Sequence, residues 1–275
     1  MTVKTRDALV GSPFLAACAG KKPVHTPVWF MRQAGRSLPE YRALRAGKRF
    51  DDLILDPALA AEVTLQPVRR HGVDAAIFFS DIITSPQAIV PGISIEPGRG
   101  PVIEQPFRTL ADVDRLRPFT PELHVPYVIE AVQQACVELD SLGVPLIGFA
   151  GAPFTVATYL IEGGKSKEFA HVKTMMRADP ETWFALLDAL ADMAIATLRA
   201  QVGAGASAIQ LFDSWAGNSP KPITEPTCCP QAPKYSAHLV IWEFPVFTLA
   251  LALASCWQQW LKRAPISLGS IGAPR

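Results

Sequence analysis

The sequence predicts an α/β protein built on a parallel sheet. Three apolar runs of strand length lie at 74–80, 144–150 and 206–212, and each follows a segment with helical periodicity. Polar residues or glycines come after each run, where a strand would leave the core. Uninterrupted apolar strands that alternate with helices are typical of parallel sheets covered on both faces. The 275 residues are enough for one α/β barrel or for two smaller domains.

Residues that start and stop helices mark the segments before these strands. Asp56–Pro57 opens the first helix, apolar positions recur from Leu59 to Val68, and Gly72 follows its last turn. The same signals predict two further helices, from Val125 to Leu142 and from about Pro180 to Val202. Residues 1–26 are predicted to form a polar arm with one apolar patch at Phe14–Cys18.

Polar side chains occur where the predicted strands end. Asp81 follows the first strand, the segment Gly151–Tyr159 follows the second, and Ser214 follows the third. In an α/β barrel the carboxyl ends of the strands form the active face, so these residues are expected to share one rim. Taken singly, each has an ordinary explanation: an aspartate caps a helix, and a tyrosine packs with its hydroxyl bonded.

An arginine-containing stretch near the amino terminus, residues 27–41, suggests a polyanionic ligand. Arg32 and Arg36 are four residues apart, separated by small residues and followed by a proline-bounded turn. Planar guanidinium groups that are always charged suit bidentate binding of carboxylates or phosphates. The alternative is a solvated loop whose arginines pair with Glu40 and its neighbours.

Composition excludes several classes of function. The formal net charge of +1 gives no global electrostatic case for nucleic acid or an anionic membrane. The five cysteines and five histidines show neither a disulfide framework nor paired spacing for a metal site. There is no phosphate-cradling loop and no nucleophile elbow. No signal-peptide pattern precedes Arg32, so a cytoplasmic protein is expected.

The composition changes abruptly after Gly217. Between Ser219 and Arg275 there are only two acidic residues, while five prolines crowd the short run from Pro220 to Pro233. Three of the six tryptophans and three of the five cysteines also fall in this part. We therefore treat residues 1–217 and 218–275 as separate units.

Five blocks occur in order along residues 26–217: PVWFMRQAGR at 27–36, FSDI at 79–82, GFAGAPFT at 148–155, TYLIEGG at 158–164 and LFDSWAG at 211–217. In these blocks the sequence resembles the uroporphyrinogen decarboxylase family. The arginine motif is highly specific by itself, and five ordered blocks leave little room for coincidence.

The resemblance implies a (β/α)8 barrel, usually a homodimer, that decarboxylates the four acetate side chains of uroporphyrinogen III to give coproporphyrinogen III without a metal or organic cofactor. Asp81 matches the aspartate that faces the pyrrole N–H groups and stabilises a protonated ring. Arg32 and Arg36 match residues that engage carboxylates, and one of them supplies a proton or orders a water. The implied substrate-binding set is Arg32, Gln33, Ala34, Gly35, Arg36, Asp81, Tyr159 and Ser214, and the pocket-lining set is Arg45, Ile77, Phe149 and Phe212.

The resemblance stops after Gly217, and the tail can be back-translated into family-like sequence in a shifted frame. For example, Leu251–Trp260 permits GTGELLAAM, and Trp260–Ile266 permits AQAGAD. We therefore interpret residues 218–275 as the product of a frameshift, and residues 1–217 as a partial barrel. An incomplete barrel exposes strand edges, so little or no decarboxylase activity is expected of this chain.

Two alternatives stay open at this point. One is a protein without catalysis, either an inactive truncated product or a binder of porphyrinogens that keeps the anion loop. The other is a cobamide-dependent methyltransferase of the same superfamily, which needs a zinc site of histidine and cysteine ligands. The missing ligand spacing and the MRQAGR loop at 31–36 argue against the methyltransferase.

Overall fold

The computed structural model describes residues 7–215 and 246–250. Four strands form a parallel sheet in the spatial order β1-β4-β5-β6, and two strands form a separate antiparallel hairpin. The strands of the sheet are β1 (Ala76–Ile77), β4 (Leu146–Gly151), β5 (Ala208–Asp213) and β6 (Val246–Ala250), and those of the hairpin are β2 (Ile93–Glu96) and β3 (Gly100–Ile103).

Helices occupy most of the rest of the described residues. Three of them, α4, α8 and α11, are longer than the others and connect or flank the parallel strands. The helices are α1 (Pro13–Cys18), α2 (Pro39–Arg45), α3 (Phe50–Ile54), α4 (Pro57–His71), α5 (Thr84–Ile89), α6 (Leu110–Val113), α7 (Pro121–His124), α8 (Pro126–Leu142), α9 (Pro153–Glu162), α10 (Ala170–Ala178) and α11 (Pro180–Ala204).

The predicted α/β class with parallel strands is confirmed, and helix α4 shows why its ends could be predicted. The Asp56 carboxylate accepts hydrogen bonds from the backbone N–H groups of Ala58 and Leu59, at 2.9 and 3.2 Å. Pro57 occupies the first turn, where no N–H is needed. Gly72 ends the helix in the left-handed conformation with φ of +60°, which costs glycine little.

The boundaries of other elements differ from the prediction. The run at 74–80 yields a ladder of only two residues in β1, although Phe78 still donates its backbone N–H to Ile147 O at 3.0 Å. Beyond it, the Phe79 N–H turns to the Thr64 hydroxyl at 2.9 Å, which ends the pairing. Helix α11 continues past Val202 to Ala204 and is capped by Gly205. The β2–β3 hairpin and β6 were not predicted.

The parallel register brings three strand exits to the same edge of the sheet. Ile77 in β1 pairs with Ile147, while Gly151 in β4 pairs with Phe212. Because parallel strands share a direction, the residues that follow β1, β4 and β5 lie on one rim. The predicted shared rim of Asp81, the segment after β4 and Ser214 is therefore observed.

The core consists of two main layers around these strands. Helices α4 and α8 pack against the sheet with residues such as Leu65, Val132 and Leu139. A second cluster surrounds the fully buried Trp183 of α11 and includes Leu160 of α9. Within the described ranges, no helix is both long enough and apolar enough to cross a bilayer.

Strand β6 is the described part of the segment 218–275. Val246 pairs with Ile209, and Ala250 pairs with Asp213, so the strand lies along the edge of β5. An unpaired strand edge is a template for any extended apolar segment, and the run at 246–250 supplies one. The other residues of 218–275 lie outside the described residues, so the frameshift interpretation stays a prediction.

A glycine in β4 is required by the packing of α11 on the sheet. The Gln201 side chain accepts from the Phe149 N–H at 2.7 Å and donates to the Phe149 carbonyl at 2.9 Å. A Cβ atom on Gly148 would lie 2.5 Å from Gln201 Oε1 and 3.2 Å from the Ala206 Cβ. A side chain at position 148 would therefore displace the amide that fixes α11 to β4.

We expect Gly148→Ala to lower the free energy of unfolding by about 1–3 kcal/mol, because the added methyl overpacks this contact. Gly203→Ala is the matched control, since it adds the same methyl to a helical position with open space around it. That variant should raise the free energy of unfolding by about 0.5–1 kcal/mol through helix propensity. Denaturant unfolding of the three chains measures both effects, and equal stability of the two variants would contradict the packing argument.

Candidate active site

Asp81 stands where the chain leaves β1 and turns into α5. Its carboxylate Oδ1 accepts a hydrogen bond from the Ile83 backbone N–H at 3.0 Å, and its own N–H donates to the Thr84 hydroxyl at 3.3 Å. Asp81 therefore forms a turn that leads into α5, but it does not cap this helix, whose N-cap residue, Ile83, has no side-chain capping bond. A carboxylate has about four acceptor sites, so this bond leaves capacity for a ligand.

The surroundings of Asp81 disfavour its charged form. The side chain is partly exposed, yet burial of the carboxyl raises the pKa of Asp81. The negative charge of Asp51 raises this pKa further, while the Ile83 N–H and the positive charge of Arg32 act in the opposite direction. The net direction is upward, because desolvation is the largest effect.

Tyr159 shares this electrostatic environment. It lies in α9 with only 9% of its surface exposed, and burial is the main cause that raises the pKa of its phenol. The charge of Asp81 raises the pKa of Tyr159 further, and the charge of Arg32 lowers it. The structure therefore brings Arg32, Asp81 and Tyr159, from three separate parts of the chain, close enough for their charges to interact. Their catalytic and binding roles stay predictions.

The arginine loop is fixed to the barrel by Gln33. The Gln33 side chain is buried, donates to the Ala75 carbonyl at 3.2 Å and accepts from the Phe30 N–H at 3.1 Å. Gln33, which was predicted to contact the ligand, thus has hydrogen-bond partners within the protein. One of them, the Ala75 carbonyl, comes directly before β1. Two turns, closed by Phe30 O and Gly35 O, shape the loop between them. These hydrogen bonds hold residues 30–38 in place, although this part of the stretch contains no helix.

The two arginines of the loop are exposed. Glu40, the partner that the sequence suggested for them, instead binds the guanidinium of Arg70. This ion pair weakens the alternative in which the loop arginines are neutralised locally. The positive charge of Arg32 lowers the pKa of Asp81 and that of Tyr159, against the larger effect of burial. The backbone carbonyl of Arg36 accepts a hydrogen bond from Arg42 Nη1 at 2.7 Å.

The predicted pocket-lining residues form an apolar wall. Ile77, Phe149 and Phe212 come from three neighbouring strands and belong to one buried cluster. The rings of Phe149 and Phe212 meet edge to face with centroids 5.3 Å apart. Arg45 lies to one side, where its guanidinium donates to the Tyr41 hydroxyl at 3.2 Å. Ala34 packs against the small cluster that contains Tyr41.

Ser214 lies in the turn after β5 and is partly exposed. Its two neighbours, Asp213 and Trp215, are both hydrogen-bonded to Thr155. The Thr155 hydroxyl donates to Asp213 Oδ1 at 2.7 Å and accepts from the Trp215 backbone N–H at 3.2 Å. The Trp215 ring lies 4.6 Å from the Tyr159 ring, so the turn that carries Ser214 packs against Tyr159.

Asp51 is a site residue that the sequence analysis missed. It is only 6% exposed, and its Oδ2 pairs with Arg49 at 2.8 Å, while Oδ1 is buried and has no hydrogen-bond partner among the described residues. Its charge raises the pKa of Asp81 and also that of Tyr127, although burial dominates at both. The next residue, Asp52, is exposed and accepts from the Arg49 N–H. Both are acidic residues in a first helical turn, so the sequence offered no signal to separate them.

A small cavity adjoins Asp81, with a volume of about 30 Å³. Hydroxyl groups line its polar side, and the hydroxyls of Ser85 and Thr197 lie 2.9 Å apart. A cavity of this size holds a few water molecules.

Parallel strands that alternate with helices, with an aspartate and a serine after two of the strand ends, are typical of α/β-barrel proteins, whose sites lie at the carboxyl ends of the strands. Residues 11–230 match the family model described as uroporphyrinogen decarboxylase. The chain belongs to the uroporphyrinogen decarboxylase family.

Relatives named uroporphyrinogen decarboxylase are more than half identical to this chain over the matched part. The protein of Nocardioides sp. is 57% identical over 209 residues, which are 76% of this chain and 60% of the relative. The protein of Mycobacterium sp. strain KMS is 57% identical over 78% of this chain and 60% of the relative. The protein of Streptomyces griseus is 56% identical over 77% of this chain and 57% of the relative. The chain thus spans about 60% of the length of the curated relatives it matches.

A solved structure supports the fold independently. A methyltransferase from Methanosarcina mazei superposes with a TM-score of 0.69, over 93% of this chain and 74% of the other. The two sequences are 17% identical, so this likeness concerns the fold alone. Sequence identity to the relatives named uroporphyrinogen decarboxylase is far higher, at 57% against 17%. The methyltransferase alternative is therefore not favoured.

We expect Asp81→Asn to be more stable than the parent chain at pH 7. Because the pKa of Asp81 is raised on folding, the native state holds its proton more tightly than the unfolded state, and stability falls as pH rises above the unfolded value of about 3.9. Asparagine keeps the acceptor for the Ile83 N–H but carries no charge. The advantage should disappear below about pH 4, which denaturant unfolding across pH measures.

Asp179→Asn is the control with the opposite sign. The side chain and N–H of Thr182 lower the pKa of Asp179, so its stabilising effect is present at neutral pH and is lost as pH falls through the lowered pKa. This variant should therefore be less stable than the parent at pH 7, with the difference shrinking in acid. A loss of stability at pH 7 in Asp81→Asn as well would show that the Ile83 N–H and Arg32 together outweigh the burial of Asp81.

Proposed function

We propose that this site binds uroporphyrinogen and serves the decarboxylation of its four acetate side chains to coproporphyrinogen. The observation that carries the proposal is the common electrostatic environment of Arg32, Asp81 and Tyr159 at the carboxyl ends of the parallel strands. Membership of the family and the names of the relatives supply the substrate.

The chemistry of the substrate fits these residues. A porphyrinogen presents four pyrrole N–H donors at its centre and carboxylates around its edge. Asp81 supplies a carboxylate acceptor for the N–H groups, and the exposed Arg32 and Arg36 supply bidentate partners for the carboxylates. The apolar wall of Ile77, Phe149 and Phe212 suits the hydrocarbon face of the macrocycle. Tyr159 and Ser214 add hydroxyl groups for the acetate and propionate side chains.

The reaction needs an electron acceptor next to the carboxylate that leaves. A proton added to the pyrrole ring makes it cationic, and the C–C bond to the carboxyl group then breaks with its electron pair moving into the ring. Carbon dioxide departs, the methylene carbon takes up a proton to become methyl, and the ring gives up the proton it first accepted, so the net change is replacement of CO₂ by H⁺. The Asp81 carboxylate stabilises the cationic ring, and the guanidinium of Arg32 holds the carboxylates in place.

The raised pKa of Asp81 adds a proton-linked step to binding. Only the ionised carboxylate accepts hydrogen bonds from several N–H groups, and those bonds in turn favour ionisation. Binding therefore releases a proton whenever free Asp81 is protonated. The same aspartate that is destabilised in the free protein is stabilised in the complex, which directs binding free energy to the reacting part of the ligand.

We further propose that the chain with its present tail is a cytoplasmic protein with little or no turnover, whose complete relative acts as a homodimer. The described residues supply four parallel strands, whereas a barrel of this class needs eight. The chain also spans about 60% of its relatives. In a complete barrel, further strands would enclose the ligand from the other side. A site bounded by the described strands alone keeps the groups for binding and leaves the ligand open to solvent.

Anaerobic incubation with uroporphyrinogen III, followed by chromatography of the oxidised products, tests the function. A frame-restored full-length protein should form coproporphyrinogen, and Asp81→Asn in that protein should reduce turnover about 100-fold or more, since it removes the charge that stabilises the cation. Arg99→Ala is a control, because Arg99 is exposed and pairs with Glu96 within the hairpin. Undiminished turnover in Asp81→Asn would overturn the assigned role, and comparable turnover in the 275-residue chain would overturn the proposed loss of activity.

We also propose that residues from about 218 onward derive from a shifted reading frame. Similarity to the relatives covers 75–79% of the chain and leaves about a fifth or more of it unmatched, although the family model matches as far as residue 230. The nucleotide sequence across codon 218 tests this directly, and a single insertion or deletion should be found there. An unshifted frame with clear base calls on both strands would refute the proposal.

A further inference from the structure

The clearest unassigned feature near the site is the hydroxyl of Thr155. This side chain is fully buried in the first turn of α9. It donates to the Asp213 carboxylate at 2.7 Å, a short charge-assisted bond, and accepts from the Trp215 N–H at 3.2 Å. Its two partners are the residues on either side of Ser214. One hydroxyl therefore fixes both ends of a three-residue turn.

The backbone around this contact is closely packed. Ala152, just before α9, donates its N–H to the Phe212 carbonyl at 2.8 Å, so the start of α9 is aligned with the end of β5. A Cβ on Gly151 would lie 2.5 Å from Val156 Cγ2 and 2.9 Å from Ile82 Cβ, which leaves no room for a side chain. This close approach lets the short Thr155 side chain reach the turn after β5.

Trp215 transmits the position of this turn to Tyr159. Its ring lies 4.6 Å from the Tyr159 ring on one side and 4.9 Å from the Phe169 ring on the other. Phe169 is buried and has a φ of +52°, an unusual conformation for a bulky residue. A strained residue persists where its surroundings hold it firmly, so the position of the Phe169 ring against Trp215 is well determined.

We infer that Thr155 is a positioning residue whose hydroxyl sets the orientation of Ser214 and, through Trp215, of Tyr159 toward the ligand. The inference rests on the proposed function for the assignment of Ser214 and Tyr159 as ligand contacts. Thr155 itself is fully buried, so it has no exposed surface with which to contact a ligand directly. It acts on Ser214 through hydrogen bonds to the two flanking residues, one donated to the Asp213 carboxylate and one accepted from the Trp215 N–H.

A purely structural role is the competing explanation, and it makes a different prediction. A hydroxyl that merely stabilises the fold would, when removed, lower the protection of all slowly exchanging amides together. A positioning hydroxyl affects the turn at 213–215 more than the core of β4. The comparison between the Trp215 amide and a core amide such as that of Ile147 therefore separates the two roles.

The test uses the 275-residue chain with Thr155→Val, which keeps the shape and removes the hydroxyl, and Thr155→Ser as the control that keeps it. Amide hydrogen exchange should accelerate about 3–10-fold at Trp215 in the valine variant, the effect of one lost hydrogen bond, with little change at Ile147. The serine variant should resemble the parent. Equal acceleration at both amides, or none at Trp215, would overturn the inference.

A binding measurement tests the link to the ligand. The affinity for uroporphyrinogen III, measured anaerobically by protein fluorescence quenching, should fall about 3–10-fold in Thr155→Val and be kept in Thr155→Ser. A parent chain that binds no uroporphyrinogen would contradict the proposed function, while exchange at Trp215 would still decide whether Thr155 fixes the turn. Faster exchange at Trp215 with unchanged affinity would overturn the positioning role. Should the valine variant not fold, Thr155→Ala gives the same comparison.

Discussion

The parallel pairing of β1, β4 and β5 is the constraint on which the site depends. Each strand contributes a different chemical group at its exit, and none of these groups is near the others in sequence. The register that places Gly151 beside Phe212 also places the start of α9 beside the turn that carries Ser214. A shift of β5 by one residue would reverse which side chains face the apolar wall and would separate the hydroxyl of Thr155 from both of its partners.

The site combines a stable support with a destabilised functional group. The support is dense, since Gln201 fixes α11 to β4 and Gln33 fixes the arginine loop before β1. Within it, burial and the neighbouring carboxylate of Asp51 hold Asp81 in surroundings that disfavour its charge. Such an arrangement is stable in the free protein only because the rest of the fold is rigid, and it favours ligands that offer hydrogen-bond donors or positive charge.

Local signals in the sequence were sufficient for the three long helices α4, α8 and α11, while most of the shorter helices were not predicted. Asp56 and Gly72 act within a few residues of themselves, so helix α4 could be predicted closely. Polar residues after apolar runs identified Asp81 and Ser214 because strand exits have a local signature. The contributions of Asp51 and Thr155 could not be predicted, since they arise from contacts with residues 30 and about 60 positions away. Short strands such as β2 and β3 lack a periodic signal, and β6 pairs through an edge that no local pattern describes.

The pairing of β6 with β5 shows how permissive that edge is. The five backbone positions of 246–250 satisfy it in parallel register, although they come from a segment whose composition differs from that of the preceding 217 residues. An edge that accepts a partner through backbone hydrogen bonds selects for extended apolar character more than for a particular sequence. During synthesis, β5 is made before residues 246–250, so its edge stays open as an acceptor for extended segments until they leave the ribosome.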